Sequence, residues 1–141
     1  MTNYDATNKN QSTRLNKNYR DIDLSFGRNA VTGDINVLDD AEAVKRAVRN
    51  IIQTNHFERP FHPEIGGNVR ALLFENMTPL TALNLQRKIE EVLNNFEPRA
   101  KITQILADPD IDRNGYRLEI KFYVIGIQNP ITVETFLERL R

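Results

Sequence analysis

Between Thr78 and Pro98 the chain carries both ends of a helix, and beyond Pro98 its apolar period changes. Thr78 has the side chain of an N-cap, and Pro79 suits the first helical position, where its missing N–H is not needed. Leu85, Ile89, Val92, Leu93 and Phe96 then recur three and four residues apart, as one apolar stripe. Proline bars the residue before it from the α region, so the helix stops ahead of Pro98. Further on, "YRLEIKFYV" alternates. Tyr116, Leu118, Ile120, Phe122 and Val124 share one face, and Arg117, Glu119, Lys121 and Tyr123 the other. A period of two means a half-buried strand. A chain holding both periods lays helices on one face of a sheet, so the expected class is α+β.

The remaining elements are read the same way. Val44, Ala47, Val48, Ile51 and Ile52 form a second helical stripe, with Asp39 or Asp40 as cap, Glu42 three residues after Asp39, and Lys45, Arg46 and Arg49 on the wet face. Gly27 and Gly33 punctuate two short extended pieces near 22–26 and 34–38. In "FERPFHPEIGGNVRALLFE", Pro60 and Pro63 forbid a continuous helix and Gly66 and Gly67 allow a reversal. Asn68 can cap a short helix turning Val69, Leu72 and Leu73 inward. Residues 101–107 read as a strand, joined to the alternating one by a turn at Asn114-Gly115. "ITVETFLERLR" fits a strand or a short helix, and its β-branched Ile131, Thr132, Val133 and Thr135 favour the strand. The sum is two main helices on an antiparallel sheet of about three strands.

Residues 1–20 are rich in Asn, Thr, Lys and Gln. They bury too little apolar surface to offset ordering, which reads as a flexible arm ahead of one domain at 21–141. Lys+Arg and Asp+Glu are equal, at 19 each, so no global charge draws the chain to nucleic acid or an anionic membrane. Cysteine is absent, which excludes disulfides, thiolate metal sites and thiol nucleophiles. No apolar run approaches membrane-spanning length, and the N-terminus lacks the apolar core of a signal peptide, so a soluble protein is expected.

Candidates for chemistry are weak. "DPDIDRNGYRLE" imitates a calcium loop, yet neither register supplies both the turning glycine and the closing glutamate, and Asn-Gly between strand patterns reads as a hairpin. His56 and His62 are separated by Pro60 and lack metal-ligand spacing. Glu97 with an acid among Asp108, Asp110 and Asp112 would suit a glycoside hydrolase, but Arg99, two residues on, favours the charged form, the opposite of what a proton donor needs.

"NNFEPRAKI" offers a different use for that glutamate. Pro98 stiffens the corner between helix and strand, so Glu97 and Arg99 are presented with little entropy to lose on binding. Arg99 has a fork of donors suited to a carboxylate or to backbone carbonyls. From these residues alone, a helix stop with two solvated charges is the preferred reading, since exposed charges contribute little.

"DIDLSF", "ERPFHPEIGGNVRALLFENMTPLT" and "NNFEPRAKI", in this order and spacing over residues 20–140, resemble the wedge protein of contractile phage tails of the T-even type. That family is shared with the sheath-initiating subunit of type VI secretion baseplates. The resemblance implies a fold like the conserved domain of tail sheath proteins, and a structural role without catalysis, cofactor, nucleic acid, membrane or small-molecule substrate. The implied partners are the wedge heterotrimer, through its helical bundle, the tail sheath protein and other baseplate proteins. The implied place is the virion baseplate, assembled in the host cytoplasm. Glu97, Pro98 and Arg99 would contact the bundle or hold the corner that does, and Arg59, Pro60, Phe61 and Gly66 match the family's central turn. Sheath templating would run through unpaired strand edges, at 131–140 or in the pieces before residue 38. A hydrolase using Glu97, and a small partner-binding adaptor of the same fold, are the competing readings.

Overall fold

The alternating stretch is the middle of a sheet. In the computed structural model, which describes residues 19–139, strand β4 (Gly115–Val124) lies between β3 (Ala100–Asp110) and β5 (Ile131–Glu138), both antiparallel to it. Tyr116, Leu118, Ile120 and Phe122 are fully buried and Val124 nearly so, while Arg117 and Tyr123 on the other face are exposed. The β-branched segment takes the strand alternative, pairing Ile131–Glu138 with β4 from Phe122↔Ile131 to Gly115↔Glu138 without a break.

Two helices cover the apolar face. Helix α1 (Asp40–Gln53) buries Ala43, Val44, Val48, Ile51 and Ile52. The one-turn α2 (Val69–Leu72) buries Val69, and α3 (Pro79–Phe96) buries Leu85, Ile89, Val92 and Leu93. Helix α3 packs along β3, and α1 packs on α3 and reaches β5, so the core lies between the helices and one face of the sheet. Before α1, β1 (Arg20–Ile22) and β2 (Val37–Asp39) form a separate antiparallel hairpin against that helix. The strands are shorter and set further apart than the glycines suggested, because Asp23 to Asn36 is held as turns. Residues 1–18 of the expected arm lie outside the described residues; Tyr19 stands beside α1 and Arg20 opens β1.

The caps divide. Thr78 accepts a bond from the Thr81 N–H at 3.2 Å, as its position predicts. The expected α1 cap is not made. Asp39 takes Arg20 Nε at 2.9 Å across the hairpin, and Asp40 takes the Tyr19 N–H at 3.0 Å, which ties the start of the hairpin segment to the helix. Asn68 makes no side-chain cap either, because its left-handed backbone (φ 49°) turns the chain into α2. The β3–β4 turn spans 111–114, with Asn114 left-handed and Gly115 already in the strand. No side chain fits at Gly115, where a Cβ would collide with the Leu137 carbonyl oxygen.

Candidate functional site

At the end of α3 the Glu97 N–H still bonds the Leu93 carbonyl, and the Ala100 N–H bonds the Glu97 carbonyl at 3.1 Å. Those bonds enclose a tight turn with Pro98 at its second position, where a fixed φ is favoured. Glu97 is 3% exposed, a rare place for a carboxylate. Its charge is matched within the triplet. Arg99 Nε donates to Oε1 at 2.6 Å and Nη2 to Oε2 at 2.8 Å, a two-pronged pair. Arg99 Nη1 reaches Asp21 of β1 at 3.2 Å, 78 residues away in the chain, and the guanidinium lies 5.5 Å from the centre of the Tyr19 ring. The bond to Glu97 raises the Arg99 guanidinium further above its ordinary value; burial opposes this, and the charges of Glu97 and Asp21 add to it. The backbone is pinned as well, since the Ile125 N–H bonds the Arg99 carbonyl at 3.1 Å.

The two motifs singled out in the sequence meet here. Glu97 and Arg99 line a groove of about 520 Å³ together with Arg59, which comes from the loop after α1. The floor is α1, through Ala43, Ala47 and Ile51, and one wall is Ile22 and Leu24 of the hairpin segment. Pro98 is exposed and Arg99 is about one quarter exposed. In the 55–67 loop, Pro60 is exposed and Phe61 is 97% exposed. Phe57 and Phe61 both hold a left-handed φ, of 67° and 68°, which is costly for a bulky residue. The loop is held by Asn55, which bonds Glu58 through both its backbone N–H and its side-chain amide, and by the Phe57 N–H on the Pro63 carbonyl. Gly66 is buried with φ 128°, and a Cβ there would stand 2.6 Å from the Thr54 carbonyl oxygen. Its role is to let the loop close.

Asp21 and Tyr19 complete the corner, and periodicity has no access to a partner so distant in the chain. The one available signal was an acid within "DIDLSF". The acids at the other end of the sheet make no comparable cluster. Asp110 accepts the Arg113 N–H at 3.1 Å within the hairpin turn, and among the described residues no three metal-ligating side chains converge.

The family model of baseplate wedge protein gp25 matches residues 38–128. Baseplate wedge protein gp25 of Enterobacteria phage T4 is 37% identical over 120 residues, 85% of this chain and 89% of that protein. The chain belongs to the gp25 family of baseplate wedge proteins. The matched segment holds α1, the 55–67 loop, α3, the Glu97–Arg99 corner and the β3–β4 hairpin. A chain of the anti-feeding prophage baseplate has the same fold, with a TM-score of 0.69 at 26% identity, covering 79% of this chain and 90% of that one. A candidate tail lysozyme from Geobacter sulfurreducens also superposes with a TM-score of 0.69, over 75% of this chain and 97% of its own. At 20% identity that likeness concerns the fold alone. Membership makes this chain a component of a contractile-tail baseplate, in association with other baseplate proteins.

Proposed function

We propose that this gp25-family subunit docks the helical bundle of the wedge heterotrimer on its Glu97–Arg99 corner and offers the β5 edge as a template for the first ring of tail sheath. The observation that carries the docking is the buried fork between Glu97 and Arg99. It fixes a partly exposed guanidinium before any partner arrives, so little freedom is lost on binding. In this division Pro98, Arg99, Arg59, Pro60 and Phe61 face the partner, while Glu97 and Gly66 hold the shape.

Two edges of the sheet favour β5 for strand addition. The ladder of β3 is interrupted by a bulge between Ile102 and Gln104, and α3 runs alongside it. The β5 ladder is regular over its length, and among the described residues β5 pairs with β4 alone. A regular edge accepts another chain's strand and a bulged, covered one resists it. Repetition around a ring multiplies a modest pairing.

The subunit then acts without catalysis, cofactor, nucleic acid, membrane or small-molecule substrate, in the virion baseplate after assembly in the host cytoplasm. A hydrolase role suits Glu97 poorly, since both its oxygens are engaged by Arg99. The test removes the buried charge together with its partner. Glu97→Ala/Arg99→Ala, shown to fold by circular dichroism, is introduced into the particle's genome, and tails are counted by electron microscopy. Particles lacking sheathed tails are expected. Normal yields of sheathed tails from the folded variant overturn the docking role, and peptidoglycan turnover abolished by Glu97→Gln overturns the structural reading.

A further inference from the structure

An arginine side chain is long and rotates freely, so its guanidinium is presented in one way only if its surroundings hold it. Glu97 takes Nε and Nη2 of Arg99. Such a fork fixes one edge of the guanidinium and leaves open the tilt of its plane about the line joining the two groups. Two residues ahead of α1 close that freedom. Asp21 Oδ2 accepts from Nη1 at 3.2 Å, on the nitrogen that Glu97 does not use. The guanidinium carbon of Arg99 lies over the Tyr19 ring, 5.5 Å from its centre, a distance at which a cation is attracted to a ring face. All three nitrogens of Arg99 are then engaged, and Nη2 keeps one N–H beyond the one given to Glu97.

Strand geometry delivers both residues together. Side chains two apart in an extended chain share a face. Tyr19 and Asp21 turn towards Arg99, while Arg20 between them turns to Asp39 at 2.9 Å. The register is fixed twice. Asp21 stands opposite Leu38 in the hairpin. Tyr19 and Asp40 exchange bonds, the Tyr19 N–H to the Asp40 carboxylate at 3.0 Å and the Asp40 N–H to the Tyr19 carbonyl at 2.7 Å. Arg46 of α1 adds a pair with Asp23 at 3.4 Å. These fasteners hold the hairpin on α1 without Arg99. The contacts of Tyr19 and Asp21 with Arg99 are therefore free to serve the arginine, and the Asp21 side chain is 38% exposed, so its loss costs the fold little.

We infer that Tyr19 and Asp21 are positioning residues for docking: they set the plane of the Arg99 guanidinium so that its remaining N–H is held in one direction for an acceptor on the partner. This rests on the docking role proposed above and goes beyond it by giving the β1–β2 hairpin a part in recognition. Neither residue needs to touch the partner. Ordering the guanidinium in the free subunit removes rotamer freedom that binding would otherwise have to remove. The ring supplies the face, the carboxylate supplies the third nitrogen's acceptor, and the loss of either lets the plane turn.

The experiment uses the full chain and the purified wedge proteins of the same particle, with affinity measured by calorimetry and folding by urea denaturation. Asp21→Ala and Tyr19→Leu each lower affinity about fivefold, the share of ordering one long side chain. Tyr19→Phe keeps the ring and stays within about twofold of the parent, which a packing role alone would not distinguish from leucine. Arg99→Lys has no plane to orient; it binds more weakly, and adding Asp21→Ala to it lowers affinity no further. If Arg99→Lys is weakened while Asp21→Ala or Tyr19→Leu binds as the parent does or more tightly, the positioning role is wrong and the docking role stands. Equal losses for Tyr19→Phe and Tyr19→Leu, or an undiminished effect of Asp21→Ala beside Arg99→Lys, overturn it as well. If folded Arg99→Lys binds like the parent, docking through Arg99 fails and the positioning role with it. Should Arg99→Lys not fold, the contrast between Tyr19→Phe and Tyr19→Leu decides alone.

Discussion

The Glu97 carboxylate is buried against the Arg99 guanidinium, with both of its oxygens taken at 2.6 and 2.8 Å by two nitrogens of one side chain. Arg99 is thus as much a structural cation as a docking one. Arg99→Ala leaves Glu97 charged and without its partner in a buried site, which costs about 3 kcal/mol or more. Glu97→Ala/Arg99→Ala removes the charge as well and destabilises by less than the two single changes summed. Urea denaturation of the four proteins gives the coupling; a value near zero shows that the pair is ornamental.

Gly66→Ala tests the loop. The residue has φ 128° and no space for a Cβ beside the Thr54 carbonyl. The strain costs about 2 kcal/mol or more and displaces the loop that carries Arg59 and Phe61. Stability by thermal melting reads the cost. An unchanged melting temperature means the loop closes some other way.

Phe61→Ser separates docking from folding. The ring is 97% exposed and contributes almost nothing to the core. Stability stays within about 0.5 kcal/mol of the parent, while sheathed-tail yield falls. Full yield in a folded Phe61→Ser particle removes the ring from the docking surface.

Tyr116→Phe addresses a buried hydroxyl that has no hydrogen-bond partner among the described residues. Removing it stabilises the fold by about 1 kcal/mol at neutral pH. Burial first, and then the charge of Glu75, raises the pKa of Tyr116 above the ordinary tyrosine value of 10.0. Its contribution is therefore complete below pH 10 and lost as pH rises through the higher folded value. The parent loses stability over that range faster than Tyr116→Phe; equal slopes in alkaline denaturation refute the assignment.

Thr78→Ala costs about 1 kcal/mol through the lost cap, since the Thr78 hydroxyl accepts the Thr81 N–H and also meets the Thr81 hydroxyl at 2.9 Å. A loss measured by urea denaturation that is indistinguishable from zero means Asn76 alone, which accepts the Thr81 hydroxyl, holds the helix start.

The local devices were legible in the sequence because their physics is local. A cap, a stripe of 3.6 and an alternation of two act between near neighbours in the chain, and they determined α1, α3, β4 and the stop at Pro98. The proline corner was equally legible as a rigid turn. The caps at Asp39 and Asp40 were misread for the converse reason. Their carboxylates had distant competitors, Arg20 and the Tyr19 backbone, that outbid the helix start. Only the tertiary structure decided that Glu97 is buried, that Asp21 from 78 residues away shares its arginine, and that Arg59 faces the same groove as Arg99. A charge's worth depends on what surrounds it, and the surroundings of this corner come from four parts of the chain that only the packed core brings together.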